Sequence, residues 1–257
     1  MKKLIIFDLD GTLAESKSPI TKKMSNVLKK LLQNYSVAII SGGAFPQFEK
    51  QFLNNLSIPK NLLNKLYLFP TCATSFFKFK NKEWEEIYSE KLSIDDKQKI
   101  LEAFKKTFNQ VGFIIPKKLL YGKIIEDRDT QITFSALGQD APVDLKKQWD
   151  PTHVKRLAMI EILQNYLPEF EIRSGGSTSI DITKKGIDKA YGIFKIQELL
   201  KFSIGEMLFI GDAIFPGGND FAVVSTGVES ISTSGPEHTI EIILDLLKLE
   251  SSLVNNK

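Results

Sequence analysis

At 257 residues, 42% of them hydrophobic, the chain is long enough for one large domain or two moderate ones with sizeable cores. Its 34 Lys and Arg against 31 Asp and Glu leave a net charge of +3, which gives no ground for a nucleic-acid partner, and no stretch reads as a membrane span. The single Cys72 excludes an internal disulfide and, with neither His153 nor His238 near it in sequence, reads as a small packed residue; with no secretory cleavage region recognisable, a cytoplasmic protein is expected.

The first element is the unbroken apolar run Leu4 to Phe7, the pattern of a strand buried on both faces, and it runs straight into Asp8-Leu9-Asp10-Gly11-Thr12. Two close carboxylates at a strand end repel each other and resist burial, so a positive group is expected between or beside them. Met24, Val27, Leu28, Leu31 and Leu32 then recur at helical spacing with lysines on the opposite, solvated face. A second apolar run, Val37 to Ile40, ends in Ser41-Gly42-Gly43, completing a right-handed β-α-β unit of a parallel sheet. The aromatics and lysines of Ser75 to Trp84 read as a module junction packed by Phe76, Phe77 and Phe79 rather than as a base-stacking surface.

From about residue 82 the texture changes. Ser93 and Asp96 make a capping box for a helix lined by Ile100, Leu101, Phe104, Phe108 and Val111 and closed by Gly112. Asp150-Pro151 reads as the N-cap and first residue of a second helix, placing His153 at its third position, solvent-facing and without a metal role, as for His238. The alternating stretches Gln131 to Leu137 and Ser177 to Thr183 read as strands on either side. After about residue 185 the pattern returns to a helix, the buried strand Met207 to Ile210, a glycine-rich turn and a terminal helix through Ile240, Ile243, Leu246 and Leu247. The expected fold class is therefore α/β, a Rossmann-like parallel-sheet core formed by residues 1–81 and 186–257 with an α+β module, residues 82–185, inserted in it. The junctions near residues 80 and 185 are expected to act as hinges, with Gly186 as a pivot.

In an open parallel sheet, ligands collect at the carboxyl ends of the strands. Four stretches converge there: Asp8 to Thr12, Ser41 to Gly43, Lys185 to Gly192, and Gly211 to Asp220. They bring carboxylates, a hydroxyl, an ammonium and exposed backbone N–H groups, the set that phosphoryl transfer through an aspartyl-phosphate requires. In that chemistry Asp8 attacks phosphorus, and Asp10 protonates the leaving oxygen and later deprotonates the acceptor. Ser41, in the loop with Gly42, and Lys189 hold and neutralise the phosphoryl oxygens. A Mg²⁺ ion gathers Asp8, the Asp10 carbonyl and Asp212, offsetting the like charges, with Asn219 and Asp220 completing or orienting its shell.

The four stretches in this order resemble the haloacid dehalogenase superfamily, over nearly the whole chain. The insert is similar to the type C2 cap, subclass C2b, of sugar-phosphate enzymes. The motifs Pro216-Gly217-Gly218-Asn219-Asp220, Gly175-Gly176 with Ser179 and Asp181, and Gly186 with Asp188, Lys189 and Tyr191 resemble eukaryotic-type phosphomannomutases. The resemblance implies that Arg128, following Glu126, binds the distal phosphate and that Ser179 and Asp181 touch the sugar or its phosphate. It also implies a small phosphorylated sugar as substrate, Mg²⁺ as cofactor, a hexose 1,6-bisphosphate as activator, and a cap able to support a homodimer.

Two departures stand out. Where the family has further arginines this chain has Lys17, Gln139 and Lys146, and a lysine keeps the charge but not the two-pronged fork, while glutamine has neither. The second motif reads Ser-Gly-Gly rather than the mutases' Gly-Gly-Ser, closer to cap-bearing phosphatases. Three readings follow: a phosphomannomutase-like phosphotransferase, a phosphatase of sugar phosphates or similar small metabolites, and a non-catalytic ligand-binding protein. The presence of Asp8, Asp10, Ser41, Lys189 and Asp212 argues against the third.

Overall fold

A computed structural model describes residues 1–115 and 121–255, with side chains through residue 249. In chain order the elements are β1 (Leu4–Phe7), α1 (Lys22–Asn34), β2 (Ser36–Ile40), α2 (Phe45–Gln51), β3 (Leu66–Phe69), the single turn α3 (Pro70–Ala73), β4 (Ser75–Lys80) and β5 (Glu83–Ser89). There follow α4 (Ile94–Val111), β6 (Ile125–Asp127), β7 (Ile132–Ser135), α5 (Val143–Trp149), α6 (Val154–Tyr166), β8 (Phe170–Gly175) and β9 (Ser179–Lys184). The chain ends with α7 (Lys189–Leu200), β10 (Met207–Gly211), β11 (Glu229–Ser232) and α8 (Pro236–Asn255). Two compact units result, one of Met1–Ser89 with Asp188–Lys257 and one of Glu90–Ile187.

The first unit is built on a seven-stranded sheet of order β11-β10-β1-β2-β3-β4-β5, parallel from β11 to β3 and antiparallel beyond. Side chains alternate across it. Ile5, Phe7, Val37 and Ile39 join Met24, Leu28 and Leu31 of α1 and Ile240 and Ile243 of α8 on one face. Leu4, Ile6, Ala38 and Ile40 meet Ile193 and Ile196 of α7 on the other. All five apolar positions read for the first helix are buried. Because β2 and β10 flank β1 on opposite sides, the strand order reverses there, and the crevice of such a sheet opens at the carboxyl end of β1.

The boundary expected at residue 81 falls at 89, and the one expected at 185 falls at 187. Residues 75–89 are a hairpin of the first unit's sheet rather than a junction, paired from Ser75↔Ser89 to Lys80↔Glu83. Phe76 stacks on Phe69 at 4.5 Å between ring centres and Phe77 on Phe45 at 3.9 Å, so these rings serve the sheet and α2. Lys78 and Lys80 lie opposite Glu85 and Glu83 across the strands, and the Lys78 ammonium sits 5.5 Å from the centre of the Tyr67 ring.

Thr71, Cys72 and Ala73 all lie in the left-handed region, at φ 49°, 56° and 66°, without a glycine or asparagine among them. Each such residue costs about 1–2 kcal/mol, more for a β-branched one. The turn persists because it is tied down: Thr71 N–H donates to the Gly43 carbonyl at 3.0 Å and Cys72 N–H to that of Ser41 at 2.9 Å. Cys72→Gly is expected to stabilise the protein by about 0.5–1 kcal/mol, the relieved strain less the added freedom of the unfolded chain. Thermal melting checks it, and a lower midpoint for the variant would refute the strain argument.

In the second unit a four-stranded antiparallel sheet, β6-β7-β9-β8, carries its apolar face against α4 and α6. Ser93 and Asp96 form the expected capping box and Gly112 the left-handed end of α4, with Ile100, Phe104 and Phe108 buried; Leu101 is exposed. The Asp150-Pro151 reading needs correction. Asp150 closes α5, residues 151–153 turn, and α6 starts at Val154 after His153 in a left-handed conformation. The reason is a buried partner: the Asp150 carboxylate accepts from Lys155 N–H at 3.0 Å, Arg156 N–H at 3.2 Å and Arg156 Nε at 2.9 Å. Arg156, 1% exposed, also donates to Ser174 Oγ at 2.8 Å and to the carbonyls of Gly175 and Gly176, bracing the turn that precedes Ser179.

Burial works against the Asp150 charge, but Arg156 and the two N–H groups outweigh it and hold the carboxyl below its ordinary value. A depressed carboxyl stabilises the fold above the unfolded-state value, about pH 3.9, and the contribution is lost as pH falls through the lower folded value. Asp150→Ala strands a buried guanidinium and should cost about 3–5 kcal/mol in denaturant unfolding at neutral pH. A cost under about 1 kcal/mol would mean that the carbonyls alone satisfy Arg156.

Candidate active site

Asp8 is the first residue beyond β1. Alternation along that strand sends it to the α7 face, where Lys189 opens α7 behind its N-cap, Asp188, whose side chain accepts from Tyr191 N–H. The Lys189 ammonium donates to Asp8 Oδ1 at 2.6 Å and also to Asp220 Oδ1. The three residues are between 0% and 3% exposed, so this is a buried charge cluster and not a surface pair. Asp220 is held in turn by Ala213 N–H at 3.0 Å to Oδ2, and Asp212 accepts from Thr12 Oγ1 at 3.4 Å.

Burial pushes the Asp8 carboxyl well above the ordinary carboxylate range; Lys189 draws it down, while Asp220 and Asp212 add to the upward push. Asp212 moves the same way, through burial and then Asp220. Burial disfavours the Lys189 charge, yet Asp220 and Asp8 overcome it and its pKa is raised. One ammonium thus faces three carboxylates. Oxygen atoms of Asp8, Asp212 and Asp220 lie within 4.8 Å of one another, an all-oxygen donor set with excess negative charge. That is the chemistry a hard divalent cation suits, and such an ion reverses the upward pressure on the carboxyls. Gly11 makes the approach possible: at φ 84°, a Cβ on it would sit 2.4 Å from Asp212 Oδ2.

Asp10 is held separately, by Lys17 N–H at 2.6 Å and Gln51 Nε2 at 2.8 Å on Oδ1 and by Gln47 Nε2 at 3.0 Å on Oδ2. Ser41, buried, immediately follows β2, its Oγ accepting from Gly43 N–H at 3.2 Å, with Gly42 half-buried between them. Asn219 is exposed, unlike its neighbour Asp220.

The remaining expected residues stand in the second unit. Pairing across its sheet puts Glu126, Thr133, Asp181 and Arg173 in one row, and Ser135 opposite Ser179 on the same polar face. Asp181 accepts from Thr133 Oγ1 at 2.7 Å, Ser179 and Ser135 share a hydrogen bond of 2.9 Å, and Arg128 Nε donates to Glu126 at 2.7 Å. Lys146, buried, donates to the Gln139 carbonyl at 2.8 Å. Sequence reading misses Thr133, Ser135, Arg173, Arg156, Gln47 and Gln51. Alternation in Gln131 to Leu137 was the available signal for the first two, and the four-residue spacing of the glutamines for the last two.

A parallel sheet with an inserted α+β unit, and a lysine-linked carboxylate at the carboxyl end of its reversal strand, defines an α/β enzyme of phosphoryl chemistry. The chain belongs to the haloacid dehalogenase-like hydrolases, whose family model matches residues 5–225. It is an enzyme, a phosphotransferase or a phosphatase, with phosphomannomutase-like sequence. It is 25% identical over 256 residues to a phosphomannomutase of Encephalitozoon cuniculi, covering 96% of this chain and 94% of that one. A phosphomannomutase of Saccharomyces cerevisiae is 23% identical over 253 residues, with 96% and 94% covered. Among solved structures, the fold is similar to that of IMP-bound, N-terminally truncated Plasmodium falciparum IMP-nucleotidase, at TM-score 0.70 and 17% identity over 96% of this chain and 68% of that one. Among the described residues no helix is long and apolar enough to cross a membrane.

Proposed function

We propose that the chain transfers a phosphoryl group through an aspartyl-phosphate on Asp8, with Mg²⁺ as cofactor, and interconverts mannose 6-phosphate and mannose 1-phosphate. The observation that carries the reading is the buried Lys189 linked to Asp8 and Asp220 beside Asp212, in a chain whose relatives over nearly their full length are named phosphomannomutases. Asp8, Asp212 and Asp220 would hold the ion. When bound, it polarises a phosphoryl oxygen as a Lewis acid.

The chain's own residues do the rest. Asp8 Oδ attacks phosphorus while the bond from phosphorus to the ester oxygen breaks, and Asp10 gives that oxygen its proton. Lys189 stays charged and offsets the negative charge around Asp8. Ser41 and the Gly42 loop bind phosphoryl oxygens, and Asn219 supports the metal shell. In the reverse half, the acceptor oxygen attacks phosphorus as its proton passes to Asp10 and the Asp8–phosphorus bond breaks, returning the Asp8 carboxylate. Arg128, Ser179 and Asp181 bind the sugar or its distal phosphate, and a hexose 1,6-bisphosphate primes the cycle.

A second reading, hydrolysis of a sugar phosphate, has its own support. Lys146 and Gln139, where the mutases carry arginines, are tied to each other, which leaves this unit with fewer forks for a second phosphate. The test is incubation with mannose 1-phosphate, Mg²⁺ and a catalytic amount of glucose 1,6-bisphosphate. Mannose 6-phosphate as product supports the mutase; release of inorganic phosphate alone rejects it in favour of the phosphatase; no turnover of any sugar phosphate rejects both.

A further inference from the structure

Asp10 is held by two side chains that the proposed chemistry does not use. Gln47 and Gln51 lie four residues apart on α2, hence on one helix face. The helix itself is anchored by buried Phe48 and by Phe45 stacked on Phe77. Gln51 is 2% exposed, an unusual place for an amide unless its bonds are made. They are: Gln51 Nε2 donates to Asp10 Oδ1, and Gln51 Oε1 accepts from Gln47 Nε2 at 3.1 Å, whose other hydrogen goes to Asp10 Oδ2. This closed loop of three side chains leaves neither amide free to turn over, since each is both donor and acceptor or donor twice in a fixed sense.

Space has been left for it. A Cβ on Gly43 would come within 2.6 Å of Gln47 Oε1, so the second glycine after Ser41 admits the Gln47 amide. With Lys17 N–H and Gln51 both on Oδ1, and Gln47 alone on Oδ2, the two oxygens are not equivalent. Oδ2 retains the greater capacity for a further partner.

We infer that Gln47 and Gln51 are positioning residues which lock the Asp10 carboxylate in one rotamer and orientation, presenting Oδ2 as the oxygen that exchanges a proton with the substrate. The inference rests on the proposed role of Asp10. In the forward half the Asp8–phosphorus bond forms, the phosphorus–ester oxygen bond breaks and the proton on Asp10 passes to the departing oxygen. Loosening the carboxylate slows that transfer without touching the nucleophile.

Leaving-group dependence separates this from a merely structural role. A sugar alkoxide needs the proton as it departs; 4-nitrophenolate does not. In rapid-quench single turnovers with Mg²⁺, Gln51→Leu is expected to slow phosphoenzyme formation from glucose 1,6-bisphosphate by about 10²-fold, while formation from 4-nitrophenyl phosphate changes by less than about 3-fold. Gln47→Leu, at a less buried position, should show the same selectivity and covers a folding failure of the first variant. Gln51→Glu, which sets a carboxylate against Asp10, should not restore the rate. Equal slowing on both esters in a folded variant, or no slowing on either, would overturn the inference while leaving the proposed function standing. A wild-type protein inert toward both esters would instead remove the function and the inference with it.

Discussion

Asp8→Asn lowers turnover on any phosphate ester by at least about 10⁴-fold, because an amide cannot form the acyl phosphate and no neighbouring group takes over covalent catalysis. The fold survives. Asn is nearly isosteric, and Lys189 keeps Asp220 as a partner, so the change in unfolding free energy should stay within about 1 kcal/mol. Replacing a carboxylate by a neutral group also lowers the repulsion among Asp8, Asp212 and Asp220. Borohydride reduction of the wild-type phosphoenzyme, followed by peptide mapping, should convert Asp8 to homoserine; the variant should give none. Retained turnover in Asp8→Asn, or homoserine at Asp10 or Asp212, would move the nucleophile elsewhere.

Lys189→Met acts on both stability and rate. Its ammonium is the buried counter-charge shared by Asp8 and Asp220, and removal leaves two carboxylates facing each other away from water. Breaking such a pair from one side should cost about 3–5 kcal/mol measured in chelator. Millimolar Mg²⁺ should recover part of that loss, since a cation that binds only the folded acidic site stabilises in proportion to its occupancy. Turnover should fall by about 10³-fold even in saturating Mg²⁺, because one transition-state contact to developing phosphoryl charge is gone. Melting curves with and without Mg²⁺ separate the two effects. A variant as stable as wild type in chelator would show that Asp8 is neutral there and that the ion pair is not what holds the cluster.

The two predictions share an origin in local sequence. A strand buried on both faces must be apolar throughout, so the runs Leu4–Phe7, Val37–Ile40 and Met207–Ile210 stand out without any partner being known. Helix periodicity is equally local, which is why the buried face of α1 and the capping box and glycine end of α4 were readable. Asp8, Ser41 and Asp212 stand out in the sequence because each immediately follows such a strand, and Lys189 because it opens a helix behind a capping aspartate.

Interactions between distant segments were not readable. The hairpin β4–β5 was hidden because strands toward the edge of the sheet, with one solvated face, mix lysine, glutamate and aromatics, as Phe76 to Glu86 does. The start of α6 was misjudged because Asp150 has a favourable local role as a cap, and only the buried Arg156 beneath it decides otherwise. Gln47 and Gln51 looked like an ordinary polar helix face until folding brought Asp10 against them.

What linear order settles is therefore the kind of chemistry: which segments end in carboxylates, a hydroxyl or a lysine, and that they lie at strand ends. What the folded chain adds is which of those groups share charge, since Coulombic coupling falls with distance and grows with burial, and neither is a property of residues 181 positions apart along a chain. The pairing of Lys189 with Asp8 is the case in point. Hydrophobic periodicity places each end of that pair separately, and only the parallel packing of β1 beside β10, with α7 on the same face, brings them into contact.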